Sequence, residues 1–119
     1  MRVFERLRAL RIYEKQHLSF LRTIEDHNLI REIGYHQVEG APLTLKRLFL
    51  LDVGSVATIQ RRLRRLKQLG VVHQRRSAAD GRAIELTLAP SCLKLFKKYE
   101  PFLGINGSPR SKAGYSRKR

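Results

Sequence analysis

The chain is short of cysteine, of acids and of long apolar runs, and each shortage closes off a class of protein. A single thiol, Cys92, in 119 residues excludes both a disulfide framework and a zinc motif within one chain. Its apolar neighbours Leu93, Leu95 and Phe96 mark it as a buried structural thiol. No apolar stretch approaches the ~18 residues of a spanning helix. Nothing resembles a signal peptide, so a cytoplasmic protein with no membrane partner is expected. No Ser-His-acid order, glycine-rich phosphate loop or paired carboxylates stand out. No catalytic residue is therefore assigned and no enzyme is expected. The four histidines, His17, His27, His36 and His73, fall on different segments without ligand spacing, and neither a metal nor a cofactor is expected.

The shortage of acids matters most. Ten Asp and Glu face 25 Lys and Arg, for a net charge of +15. Residues 1–40 hold seven basic and six acidic residues, so the remaining 79 carry +14. That imbalance calls for a polyanionic partner, nucleic acid before anionic membrane.

Five of the positive charges are gathered on Val53–Leu69, VGSVATIQRRLRRLKQL. Val56, Ile59, Leu63, Leu66 and Leu69 recur at steps of three and four, the spacing of one helix face. Arg61, Arg62, Arg64, Arg65 and Lys67 occupy the rest, with no acid among them. Ser55 is placed to cap the start, and Gly70 to end the helix with positive φ. Upstream, Pro42-Leu43-Thr44 opens a supporting helix with Thr44 as cap, apolar through Leu45, Leu48 and Phe49 and basic at Lys46 and Arg47. Asp52-Val53-Gly54 is the turn between the two, which is helix-turn-helix spacing.

After Gly70 the period becomes two. Val72, Gln74 and Arg76 alternate with His73 and Arg75; Ser77–Gly81 is a turn containing the Asp80-Gly81 dipeptide. Ile84, Leu86 and Leu88 alternate with Glu85 and Thr87. The result is a two-stranded hairpin with Arg75, Arg76 and Arg82 around its tip. Pro90 opens a last helix over 90–103.

The N-terminal region reads as a helix over 2–14 that continues over 16–24, as one bent helix or two. Its apolar side, with Val3, Leu7 and Leu10, suits packing on the main domain or pairing with a second copy, and pairing is favoured. Asp26 is the expected N-cap of a helix over 27–38, with Leu29, Ile30 and Ile33 inward and Gly34 as a weak point. Residues 104–119 are rich in Gly, Ser and basic residues and read as a disordered basic tail.

The order helix, turn, basic helix, hairpin is that of a mainly α winged helix-turn-helix with a small two-stranded β-wing. Residues 43–88 resemble the MarR family of bacterial regulators. The resemblance rests on Leu43-Thr44 and Leu48 in the supporting helix and on Ile59, Arg61, Leu63 and Leu66 in the recognition helix. It extends through the Gly70-Val71-Val72 exit to Asp80-Gly81-Arg82, which matches the family's Asp-x-Arg wing motif. It implies that Arg61 reaches the major groove and Arg82 the minor groove, with Asp80 holding Arg82 or the wing. By side-chain chemistry, Gln60 and Thr58 share the base-reading face with Arg61, since Arg suits guanine and Gln adenine. A narrow minor groove attracts Arg82, and Lys46, Arg62 and Arg65 suit phosphates. Ser55, Arg75 and Arg76 complete the expected DNA-binding set, with Asp80 and Gly81 stabilising the wing.

The expected organisation is a dimerisation segment over 1–25, a winged-helix DNA-binding domain over 26–103 and the tail. The expected function is sequence-specific binding of double-stranded DNA by a homodimeric, nucleoid-associated transcriptional regulator. The alternative is an RNA-binding, architectural or replication-associated winged helix.

Overall fold

The computed structural model describes residues 1–105. The basic tail expected over 104–119 lies, from residue 106 on, outside the described residues. The described residues divide into two compact units, Ser19–Lys94 and Met1–Leu18 with residues 95–105. The sequence reading divides it instead at residues 25 and 103.

In the Ser19–Lys94 unit, helix α2 runs from Ile24 to Val38. It begins three residues before the expected start, because the cap is Thr23 and not Asp26. The Thr23 hydroxyl accepts from the Asp26 amide at 3.1 Å, and the Asp26 carboxylate accepts from the Thr23 amide at 3.3 Å. Two orphan amides are satisfied reciprocally in such a capping box. Leu29, Ile30 and Ile33 face inward and are fully buried, as their spacing predicts. Gly34 does not fray the helix, which continues to Val38. A Cβ at Gly34 would lie 3.1 Å from Leu88 Cδ1, so the missing side chain lets α2 approach the sheet closely.

The sheet has three strands, not the two expected. Strand β1, Leu43–Thr44, pairs antiparallel with β3, Ile84–Leu88, which also pairs with β2, Val72–Arg76, in the order β1-β3-β2. Two residues are too few to show a period, so β1 escapes sequence reading. Its register sets Leu43 opposite Leu86, and both are buried. The Gln37 Oε1 accepts from the Leu88 amide at 2.7 Å, tying α2 to β3. Helix α3 is a single turn, Leu45–Leu48, capped by Thr44 as expected.

Helix α4 spans Val56–Gln68 and is capped by the Ser55 side chain. Ile59, Leu63 and Leu66 are buried, each contributing about 1.5–3 kcal/mol of apolar transfer; Val56 and Leu69, expected on the same face, are each 51% exposed. They sit at the helix ends, where the face has already turned past the core. Gly70, at φ 77°, closes α4 with two bonds, its own amide to Lys67 O and the Val71 amide to Leu66 O. That pair is a Schellman ending, which requires left-handed backbone at this position.

Helix α5 runs from Pro90 to Lys97, and Glu100–Leu103 forms a separate 3₁₀ turn. The single helix expected over 90–103 is interrupted because Pro101 lacks an amide and disfavours α-backbone at the residue before it. In the other unit, helix α1 spans Arg2–His17, and residues 18–23 are not helical, so the continuation expected over 16–24 stops at His17. Tyr13 is buried and donates to Leu95 O at 2.6 Å, with its ring 5.3 Å from those of Tyr99 and Phe102. The Tyr99 hydroxyl donates to the Glu14 carboxylate. Val3, Phe4 and Leu7 remain 49%, 66% and 51% exposed.

Candidate nucleic-acid interface

The basic helix is fixed on its inner side by α2. Asp26, at the third position of α2, is fully buried, which for an unpaired carboxylate would cost several kcal/mol. Two arginines one turn apart on α4 answer it: Arg62 Nε lies 3.5 Å from Oδ1, and Arg65 Nη1 lies 3.4 Å from Oδ2. Arg65 also donates to Phe20 O at 2.8 Å. Among the described residues Oδ1 has no hydrogen-bond partner, so Arg62 reaches it through charge alone.

The outer side of α4 is different. Gln60, Arg61, Arg64 and Lys67 are exposed. Thr58, expected beside Gln60 and Arg61, is half-buried on the flank, where its Oγ1 accepts from Ser55 Oγ at 3.0 Å. Ser55 Oγ in turn accepts from the Thr58 amide at 3.2 Å, so the Ser55 hydroxyl is the one that caps α4. At the far end, Lys67 donates to Gln74 Oε1 at 2.7 Å and joins α4 to β2.

The hairpin β2–β3 extends beyond the core: Val72 is buried and the rest of β2 is exposed. Its tip is held by local bonds. Ser77 Oγ accepts from the Ala79 and Asp80 amides, each at 3.2 Å, and Asp80 Oδ1 accepts from the Arg82 amide at 3.0 Å. Arg76 donates to Gly81 O at 2.9 Å, and Arg75 pairs with Glu85 across the strands at 3.2 Å. Arg82 is the outlier. Its side chain is 97% exposed, and its ion pair with the 60%-exposed Asp80 is loose at 3.9 Å. Solvated pairs of this kind are worth about 0–1 kcal/mol and leave the guanidinium available.

Between the tip and the start of α3 lies an open groove of about 700 Å³, lined by Lys46, Phe49, Arg82 and Ile84 among others. Lys46 and Arg82, thirty-six positions apart in sequence, thus border one depression.

A helix with an outward basic row, a supporting turn before it and a hairpin after it are now in place, and solved structures share the arrangement. The MepR–DNA complex of S. aureus superposes with a TM-score of 0.64 at 19% identity, over 82% of this chain and 71% of that one. A mutant of S. aureus MepR gives 0.61 at 19% identity, over 79% and 67%. MarR gives 0.51 at 20% identity, over 85% and 77%. The chain has the MarR-type winged-helix fold. No protein-family model and no curated protein matches the sequence.

In this fold α4 is the second helix of the helix-turn-helix and β2–β3 is the hairpin that follows it. Of the residues singled out from the sequence, Gln60, Arg61 and Arg82 project freely, and Lys46 borders the groove. Arg62 and Arg65, expected at phosphates, are turned instead onto Asp26. Arg75 and Arg76 are exposed but engaged within the wing. Sequence reasoning passed over Arg64, which shares the outward row with Arg61. Helical spacing alone, three residues from Arg61, carries that signal. It also read Asp26 as a cap only, because its two partners lie on a different helix.

Proposed function

We propose that this chain is a sequence-specific double-stranded DNA-binding regulator, with α4 entering the major groove and the wing following the adjacent minor groove. The observation that carries the reading is the outward row of α4. Arg61 and Arg64 are exposed on a helix that contains no acid, while the other two arginines of the helix are held inward. A major groove admits a helix, and arginine bonds bidentately to guanine there. The fully exposed Arg82 suits the enhanced negative potential of a narrow minor groove. That the same fold occurs in a protein solved bound to DNA supports the assignment.

The protein binds as a homodimer in this reading, through the exposed apolar side of α1 at Val3, Phe4 and Leu7. Two copies would meet half-sites about 34–36 Å apart, one helical turn. A cytoplasmic, nucleoid-associated setting fits that role, and among the described residues no helix is long and apolar enough to cross a membrane. The role is one of binding, with no catalytic step, metal or cofactor.

Selection of binding sites from a random duplex library, at near-physiological salt and with the full chain, tests the reading. A palindromic enriched site supports a sequence-specific dimer. Strong salt-sensitive binding without enrichment, or preference for structured RNA, would replace the regulator by an architectural or RNA-directed protein.

A further inference from the structure

The four arginines of α4 form two pairs with opposite fates. Arg61 and Arg64 face solvent. Arg62 and Arg65, each one position later, converge on a single carboxylate that is itself fully buried. Asp26 is already committed locally, since its Oδ2 accepts from the Arg22 amide at 2.8 Å and the Thr23 amide at 3.3 Å. The capping box therefore fixes the carboxylate before α4 is considered, and the carboxylate then fixes α4. The ion-pair distances of 3.4 and 3.5 Å exceed the 2.7–2.9 Å of strong charge-assisted bonds. Both arginines are only partly covered, with side chains 18% and 20% exposed. A phosphate within reach would compete for them.

We propose that Asp26 is a positioning residue that withholds Arg62 and Arg65 from the phosphate backbone and fixes the rotation of α4, so that the base-facing row is Arg61 and Arg64. The inference rests on the DNA-binding reading and deepens it. Without Asp26, the helix carries two mobile cations that contact any duplex alike. Binding then gains sequence-independent affinity and loses discrimination, because phosphate contacts carry no sequence information.

The test is the salt dependence of duplex binding by the full chain, measured on the selected site and on a scrambled duplex. Asp26→Asn keeps a cap acceptor and removes the charge. Its log affinity against log salt is expected to steepen by about 1–2, since each added phosphate contact contributes about 0.9, and the ratio of site to scrambled affinity is expected to fall several-fold. Adding Arg62→Gln and Arg65→Gln to Asp26→Asn is expected to return the slope to the wild-type value, a reversal that a purely structural role for Asp26 would not produce. Arg62→Gln or Arg65→Gln in the native background is expected to leave the slope unchanged, and these variants decide the matter if Asp26→Asn does not fold. The proposal is overturned by an unchanged slope and ratio in folded Asp26→Asn, or by a flattened slope in either single arginine variant. Absence of salt-dependent duplex binding by the wild type would overturn the DNA-binding reading beneath it.

Discussion

Arg61 and Arg65 are the same residue type four positions apart on one helix, yet they do different things. Arg65 finds a buried carboxylate and a backbone carbonyl; Arg61 is exposed. Arg61→Ala is expected to cost about 1–3 kcal/mol on the preferred site and to relax preference at one base pair. Comparing affinities over single-base variants of the site checks this, and equal weakening on all sequences would make Arg61 a phosphate contact. Cys92 shows burial acting on a single group. It is 1% exposed, and burial pushes its thiol from 9.0 up to about 11. The thiolate is the reactive form, so alkylation near pH 8 is expected to be slow in the native protein and fast once it unfolds. The folded thiol keeps its proton where the unfolded one loses it. Its contribution to stability is thus present below about pH 9 and is lost as pH rises towards about 11. Urea midpoints over that range, compared with those of Cys92→Ala, check the sign.

At the scale of elements, Gly34 shows a propensity argument overruled by packing. Helix propensity alone favours Gly34→Ala by about 1 kcal/mol. The added methyl would meet Leu88 Cδ1 at 3.1 Å, and Leu88 is 4% exposed with its amide bonded to Gln37. Overpacking costs about 1–3 kcal/mol, so the substitution is expected to destabilise by about 1 kcal/mol net. Thermal unfolding of Gly34→Ala and of its combination with Leu88→Val checks this, with the smaller partner expected to restore stability. Helix α4 was readable because its cap, apolar face and terminal glycine are all local signals: Ser55, Ile59-Leu63-Leu66 and Gly70. Strand β1 was not, since a two-residue strand exists only through its pairing with β3. Thr23 was overlooked as a cap because Asp26, three residues on, is an equally good cap by type; only the reciprocal bonds distinguish them.

For the whole molecule, the uneven charge and the exposed apolar side of α1 carry the remaining expectations. Val3, Phe4 and Leu7 leave large side chains in water, a cost that pairing with a second copy would relieve. Leu7→Asp is expected to yield monomers in sedimentation velocity and to weaken binding to a two-half-site duplex more than to a single half-site. A dimer that persists would move the interface away from α1.

Composition and periodicity by themselves determined that this chain is a basic, mainly helical protein with a helix-turn-helix and a hairpin. Those features arise from contacts between near neighbours, and their order along the chain already resembles one family's. Tertiary structure alone decided the third strand, the break between α5 and the 3₁₀ turn, and the division of the α4 arginines into an inner and an outer pair. The reason is physical. An arginine's role depends on whether an acid stands within about 4 Å, and for Arg62 and Arg65 that acid is 36 and 39 residues away in sequence, on α2.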